Sequence, residues 1–328
     1  MRKPVVKTAL SALGDTVASE RSEKIGRMLC AAIDIGSNTT RVLVAEPQEG
    51  QLRKVLEQRA YTRIDKHSKH KGKIVPEKIA ELADVVDTQV RLAQEMEAEA
   101  IRIVATAAIR EAKNTKDVVE EITRVSGMPV DVLTDQEEGR LAFLGASKTL
   151  GHPVEGELAV VDVGGGSSEI VFGSVDGGVR EVLSFKIGSG SLAEDLLDND
   201  PPSAGEIRSL RDQIADFFDD VEVDQPDQAV AVGGSATSLR TLVGAVLEYE
   251  TLERAVRVLA SDPIIEVAKK FELDPRRVRI LPAGVLLLEK LSELLGQPLQ
   301  IGKGGLREGV ILELLNGAAN GEPQALAA

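Results

Sequence analysis

A strand-like segment that ends in an aspartate and turns through a glycine-rich corner occurs twice in this chain. The copies are AAIDIGSNTTRVLVAE at 31–46 and LAVVDVGGGSSEIVFG at 158–173. In each copy an apolar run leads to the aspartate (Asp34 or Asp162), then to the corner and a second apolar run. Glycine permits positive φ and leaves backbone N–H groups open to a phosphate, because no Cβ stands in the way. The pattern predicts paired phosphate-binding corners that face each other across a cleft.

The repeat continues beyond the two corners. A turn and a third strand follow each copy, at about 52–58 in the first half and 179–186 in the second. Helical periodicity comes next in both halves. Supersecondary structure repeated in this way predicts two homologous α/β lobes.

A third glycine corner lies in AVAVGGSATSLRTLVGA at 229–245, where a strand runs into Gly233, Gly234 and Ser235 and a helix leaves. This arrangement points helix N-terminal amides at an anion. A single Gly-Gly-Ser turn is usually only a turn. Three corners after apolar strands favour a phosphate site, since two of them carry a strand-end carboxylate that needs a metal or hydrogen-bond donors when buried.

Composition limits the class of protein. A chain of 328 residues with 43% hydrophobic content predicts about two domains. The net charge of −14 and the aromatic content of 2% argue against a nucleic-acid partner. A single cysteine, Cys30, fits a reducing compartment, and charged residues interrupt the first 28 residues, so they predict neither a signal peptide nor a membrane span. We expect a cytoplasmic protein with no membrane partner.

Seven motifs, in order along the chain, carry a resemblance to a known family. They are IDIGSNTTRVLV, VATAAIREAKN at 104–114, TDQEEGRLAFLGA at 134–146, VDVGGGSSEIVFG, AVGGSATSL, ILPAG at 280–284 and GLREGV at 305–310. This combination resembles the exopolyphosphatase and guanosine pentaphosphate phosphatase (Ppx/GppA) family. That family belongs to the superfamily of actin, sugar kinases and heat-shock chaperone ATPases. The resemblance implies an α/β fold of two actin-like (ribonuclease H-like) lobes with the active site in the cleft between them.

The resemblance also implies domain boundaries. Lobe I is expected at 29–145, with a closing helix at 306–317 that packs back on it, and lobe II at 146–305. Residues 1–28 form an N-terminal extension and residues 318–328 a tail.

The implied activity is hydrolysis of a terminal phosphoanhydride, in inorganic polyphosphate or in guanosine pentaphosphate, and the expected binding partners are polyphosphate or guanosine penta- or tetraphosphate. The resemblance implies that Glu138 is the general base that activates water. Asp135 and Glu138 also have the spacing of a helix capping box, which would give Glu138 a structural role. We favour catalysis for Glu138 and a solvent or capping role for Glu137.

The phosphoryl oxygens need donors and opposing charge, because the transition state is loose and spreads its charge over them. Arg110, with Arg41 as a second candidate, is predicted to neutralise this charge through bidentate contacts. The three corners are predicted to bind phosphate through Gly36, Ser37, Asn38, Gly164, Gly165, Gly166, Ser167, Gly233, Gly234 and Ser235.

Three carboxylates are candidates for a divalent cation, with Mg²⁺ as the expected cofactor. Magnesium binds through one or two carboxylates together with substrate phosphates. Asp162 and Glu169 flank the second corner and can face the cleft from adjacent strands, with Asp34 opposite. The alternative, a carboxylate satisfied by the amides of its own loop, competes most strongly for Asp34.

The segment Arg59–Lys73 is basic against an acidic background, with six Lys or Arg residues and two histidines beside a single aspartate. It is either a solvated loop or an arm that collects a polyanion. Two further functions stay open: a kinase or ATPase of the same superfamily, and a catalytically weak sensor that binds an alarmone. The choice between polyphosphate and guanosine pentaphosphate, and the oligomeric state, with a homodimer as one option, also stay open.

Overall fold

The computed structural model of the protein describes residues 27–64 and 72–320. Most of the predicted N-terminal extension and tail lies outside these residues, and residues 65–71 of the basic segment also lie outside them. Over the described part, the chain forms two mixed β-sheets and eleven helices. None of these helices combines the length and apolarity needed to cross a membrane.

The first sheet has five strands in the order β3-β2-β1-β4-β5. β1 pairs antiparallel with β2 and parallel with β4. The antiparallel pair is joined by the first glycine corner. The strands are β1 Cys30–Ile35, β2 Thr40–Gln48, β3 Gln51–Ala60, β4 Ala100–Ala105 and β5 Val130–Val132.

The second sheet repeats this plan and has six strands in the order β10-β11-β9-β6-β7-β8. β6 pairs antiparallel with β7 across the second corner and parallel with β9. The predicted duplication and both predicted third strands are therefore confirmed. The strands are β6 Leu158–Val163, β7 Ser168–Ser174, β8 Gly178–Phe185, β9 Gln228–Val232, β10 Val246–Leu247 and β11 Leu299–Ile301.

The helices begin and end where local chemistry favours it. Pro76 opens the first helix, a position that needs no N–H, and Gly127 follows the third helix with φ 69°. The first four helices are α1 Pro76–Glu95, α2 Ala107–Arg110, α3 Thr115–Ser126 and α4 Asp135–Thr149. The others are α5 Ser189–Leu196, α6 Ala204–Phe217, α7 Gly233–Val243, α8 Tyr249–Ser261, α9 Ile264–Lys270, α10 Pro275–Leu295 and α11 Leu306–Asn320.

Each sheet is covered on both faces. On the first sheet α1 and α3 pack against one face, and α11 packs against the other through Val310, Ile311 and Leu315. On the second sheet α5 to α10 pack against one face, and α4 packs against the other through Phe143 and Ala146. The helix α11 thus returns to the first sheet, as the resemblance implies, while the exact domain boundaries stay a prediction.

Helices α4 and α11 lie between the two sheets and cross each other through glycines. A Cβ on Gly145 of α4 would overlap the carbonyl oxygen of Gly305, and a Cβ on Gly309 of α11 would overlap the carbonyl oxygen of Leu141. The two backbones therefore touch, and no other side chain fits at this crossing.

Replacing Gly145 by alanine should lower the free energy of unfolding by about 1–3 kcal/mol, because the new methyl group forces the two helices apart. Urea unfolding measures this loss. The matched control is Gly205→Ala in α6, where the nearest atom to an added Cβ is Ser203 Oγ at 3.8 Å, so stability should be kept or slightly raised. Equal urea midpoints for the two variants would contradict the tight crossing.

Candidate active site

A cavity of about 420 Å³ opens where the glycine corners of the two sheets meet. The structure brings most of the predicted site residues to its wall. From the corners these are Gly36, Ser37, Asn38, Gly164, Gly165, Gly166, Ser167, Gly233 and Gly234. From the predicted charged residues they are Asp34, Arg41, Glu138, Asp162 and Glu169.

The first two corners have the same backbone turn. Gly36 N–H donates to the Thr39 carbonyl at 3.0 Å, and Gly164 N–H donates to the Ser167 carbonyl at 2.9 Å. The corners also approach each other across the cleft, since a Cβ on Gly165 would lie 2.7 Å from Ser37 Oγ. The two glycine corners therefore lie close together at one cavity, the arrangement expected of paired phosphate-binding loops.

The two strand-end aspartates have different cross-strand partners. Asp34 on β1 lies opposite Arg41 on β2, whereas Asp162 on β6 lies opposite Glu169 on β7. The duplicated framework therefore presents a carboxylate beside a guanidinium in the first sheet and two carboxylates in the second. We call the part of the cavity wall formed by Asp162 and Glu169 the acidic wall. The first sheet contributes one carboxylate and one guanidinium at the corresponding positions.

Burial raises the pKa of each of these carboxyl groups. The pKa of Asp162 is raised to about 6, that of Asp34 is raised, and that of Glu169 is raised well above its ordinary value by burial and by the neighbouring Glu138 and Asp162. Among the described residues, Asp34 Oδ1 is buried with no hydrogen-bond partner. An ionised carboxylate in this position is unfavourable unless a cation or donor meets it.

The candidate cation ligands Asp34, Asp162 and Glu169 lie on two sheets, with Asp34 opposite the other two as the sequence predicts. In the part of the chain that the structure describes, no three His, Cys, Asp or Glu side chains lie close enough together to hold an ion. Cation binding by Asp162 and Glu169, with Asp34 opposite, stays a prediction.

Glu138 lies in the first turn of α4 and faces the cavity. The capping box of this helix uses Thr134 and Glu137: Thr134 Oγ1 accepts from the Glu137 N–H at 3.2 Å, and Glu137 accepts from the Thr134 N–H at 3.0 Å. The capping alternative for Glu138 is therefore wrong, and Glu137 has the capping role. Burial raises the pKa of Glu138 to about 7, against the opposing effect of Arg110.

Arg110 is not among the residues that line the cavity, and its predicted contact with phosphate stays a prediction. Its Nη1 donates to Glu138 Oε2 at 3.0 Å and to the Leu133 carbonyl at 2.8 Å, and its Nη2 donates to Asp135. Three acceptors at the start of α4 draw the guanidinium away from the corners. Arg110 is placed to orient the carboxylate of Glu138.

Ser235 does not line the cavity either. Its side chain is fully buried, with its Oγ 3.4 Å from Ser189 Oγ, and it packs against α10, where a Cβ on Gly284 would lie 2.7 Å from Ser235 Oγ. The first turn of α7 points this hydroxyl into the core of the second sheet. Of the third corner, Gly233 and Gly234 face the cavity.

Arg277 is a cavity residue that the sequence did not single out. It lies in the first turn of α10, and both Arg277 Nη2 and Arg41 Nη2 approach Gly234, at 2.6 and 2.8 Å from the position of a Cβ. Burial and nearby arginines lower the pKa of Arg41 to about 9 and that of Arg277 to about 10. Two guanidinium groups that converge in this way, one buried and one half-buried, favour an anion between them.

Arg307 is a second arginine to which the sequence motifs assign no role. It opens α11, is buried, and donates to Glu57 on β3 at 2.7 Å. Glu308 pairs with Lys54 on the same strand at 2.8 Å. These two ion pairs fasten the start of α11 to the first sheet, and the charge of Arg307 opposes the rise in pKa of Asp34 and Asp162.

Comparisons with known proteins identify the family of this chain. The model of the Ppx/GppA phosphatase family matches residues 43–318. The chain belongs to the Ppx/GppA family. Exopolyphosphatase 1 of Mycobacterium tuberculosis is 28% identical over 312 residues, which cover 90% of each chain. Guanosine-5'-triphosphate,3'-diphosphate pyrophosphatase of Vibrio vulnificus is 24% identical over 298 residues, covering 88% of this chain and 59% of the relative.

A solved Ppx/GppA structure supports the fold. The family member from Aquifex aeolicus is 33% identical, has a TM-score of 0.74, and covers 88% of this chain and 98% of its own. The family and the two-lobe actin-like fold expected from the sequence are therefore confirmed, and the chain is a Ppx/GppA phosphatase-family member.

Proposed function

We propose that this protein is a phosphoanhydride hydrolase that releases terminal phosphate from inorganic polyphosphate or guanosine pentaphosphate. The observation that carries the proposal is the position of Glu138, a carboxylate with a pKa of about 7, on the wall of a cavity built from paired phosphate corners. A general base works best when its pKa is close to the working pH. The names of the relatives from M. tuberculosis and V. vulnificus support the two substrate classes.

Some of the cavity residues position the substrate, and Glu138 transfers a proton. Backbone N–H groups of the corners bind the phosphoryl oxygens, and Arg41 and Arg277 neutralise their charge. Glu138 accepts a proton from the attacking water. Arg110 fixes the orientation of that carboxylate through the 3.0 Å contact.

The acidic wall is suited to Mg²⁺. Asp162 and Glu169 supply neighbouring carboxylates, and the unpartnered Oδ1 of Asp34 offers a further oxygen across the cavity, directly or through water. The cation, when bound, supplies positive charge to the transferring phosphoryl group. Asp162 and Glu169 would hold the cation, and its positive charge would favour their ionised forms.

One assay tests the proposal. Phosphate release is measured with Mg²⁺ from long-chain polyphosphate, tripolyphosphate, guanosine pentaphosphate and ATP in parallel, with no acceptor present. We expect release from at least one of the first three, and the rank order identifies the substrate. Release that requires an acceptor would instead indicate a kinase, and tight guanosine tetraphosphate binding with no release from any substrate would indicate a sensor.

The pH dependence provides a second prediction. Because Glu138 must be ionised to accept a proton, kcat/KM should rise with pH through about 7 and level off above it. The residual kcat/KM of the Glu138→Gln variant should not rise with pH through this range. A profile that is flat from pH 5.5 to 8.5, or that falls as pH rises through 7, would contradict a base with a raised pKa.

A further inference from the structure

An ion pair spans the mouth of the cavity, outside the groups used so far. Lys186 Nζ lies 3.1 Å from Glu111 Oε1. Glu111 follows α2 on the first sheet's side, and Lys186 follows β8 on the second sheet's side. Both residues line the cavity that holds the phosphate corners. The pair therefore connects the two lobes where the wall of the cavity meets solvent.

The backbone next to Lys186 packs tightly against the second corner. The residues after Lys186 brace the second corner: Ser189 N–H donates to the Gly164 carbonyl and Gly190 N–H to the Gly165 carbonyl, each at 2.9 Å. A Cβ on Gly188 would overlap the Gly165 backbone, so this segment is packed directly against the corner. The backbone that follows Lys186 is therefore fixed against the second corner.

The side chains themselves remain accessible. Lys186 is 80% exposed and Glu111 is 52% exposed, so solvent weakens their attraction. An exposed pair of this kind contributes little, and a polyanion that carries several charges can displace the single carboxylate. The ammonium can thus exchange one partner for another without moving the backbone.

We propose that Lys186 binds the phosphate chain beyond the cleaved phosphate, and that Glu111 competes with the chain for the Lys186 ammonium. This inference rests on the proposed function for its substrate class. It makes Lys186 a specificity residue that favours substrates long enough to reach from the corners to the mouth. A phosphate chain binds the Lys186 ammonium only if it interacts with it more favourably than the Glu111 carboxylate does.

The test measures equilibrium binding by calorimetry in EDTA, with long-chain polyphosphate and inorganic orthophosphate as probes. Lys186→Gln should weaken polyphosphate binding about two- to tenfold and reduce the slope of log affinity against log salt by about one. Glu111→Gln should tighten it by about two- to fivefold. Orthophosphate, which occupies only the corners, should bind all variants alike, and the double variant should behave as Lys186→Gln.

The matched control is Lys116→Gln, which removes the same charge from an exposed pair with Glu120 outside the cavity. It should leave polyphosphate binding unchanged. Weaker binding in Glu111→Gln, or equal losses for orthophosphate and polyphosphate in Lys186→Gln, would overturn the proposal. The calorimetry measures binding and needs no turnover. A protein that releases no phosphate would therefore refute the proposed function, whereas the binding data alone decide this inference.

Discussion

Replacing Glu138 by glutamine should lower kcat by about 10²- to 10⁴-fold while substrate affinity stays nearly intact. Glutamine keeps the size of the side chain and its hydrogen bond with Arg110, but it cannot accept the proton of the attacking water. Single-turnover phosphate release with saturating substrate measures the chemical step directly. Equilibrium binding of the same substrate shows whether the ground state has changed.

The neighbouring carboxylate gives a matched control. Glu137→Gln and Thr134→Ala weaken the capping box of α4, so they should cost about 0.5–2 kcal/mol of stability and leave kcat within a small factor of the wild-type value. A Glu138→Gln variant with a normal rate and a lowered melting temperature would reverse these two assignments.

Asp162→Asn and Glu169→Gln should each lower the rate and raise the Mg²⁺ concentration that gives half-maximal activity. Each change leaves the cation one carboxylate short, although substrate phosphates still recruit it. Titrating Mg²⁺ at fixed substrate measures both effects. The expected loss in rate at saturating Mg²⁺ is on the order of 10²-fold or more, because developing charge on the phosphoryl group is less well compensated.

Asp176→Asn is the control for this pair, since Asp176 lies in the exposed turn before β8 and outside the cavity. Its Mg²⁺ requirement should match the wild type. If Asp162→Asn and Glu169→Gln also show an unchanged requirement, the acidic wall is not the cation site. Excess EDTA should abolish wild-type activity, and added Mg²⁺ should restore it.

The sequence predicts the framework of this fold well because local signals coincide with the tertiary arrangement. An apolar β-branched run, a strand-end aspartate and a glycine corner each dictate local backbone, and their repetition identifies two related lobes. The positions of Asp34, Asp162 and the corner glycines follow from strand pairing alone. These residues therefore line the cavity as expected.

The side-chain partners are less predictable, because they depend on contacts between distant segments. TDQEE offers two possible capping boxes one residue apart, Thr134 with Glu137 and Asp135 with Glu138, and only the helix start decides between them. Arg110 is drawn to acceptors on α4 that follow it in the chain by more than twenty residues. Arg277 is one arginine among several in PRRVRI, and only the packing of α10 selects it.

The glycine crossing of α4 and α11 fixes a point on α4 about which the proposed catalytic base, Glu138, can move. Glu138 and Gly145 are seven residues apart on α4, which corresponds to a lever of about 10 Å. Tilting α4 by about 6° about this pivot would therefore displace the Glu138 backbone by about 1 Å, a misplacement that can cost on the order of 10²-fold in rate. The close contact of the two backbones should therefore limit how far α4 can tilt, and with it the position of Glu138 in the cavity.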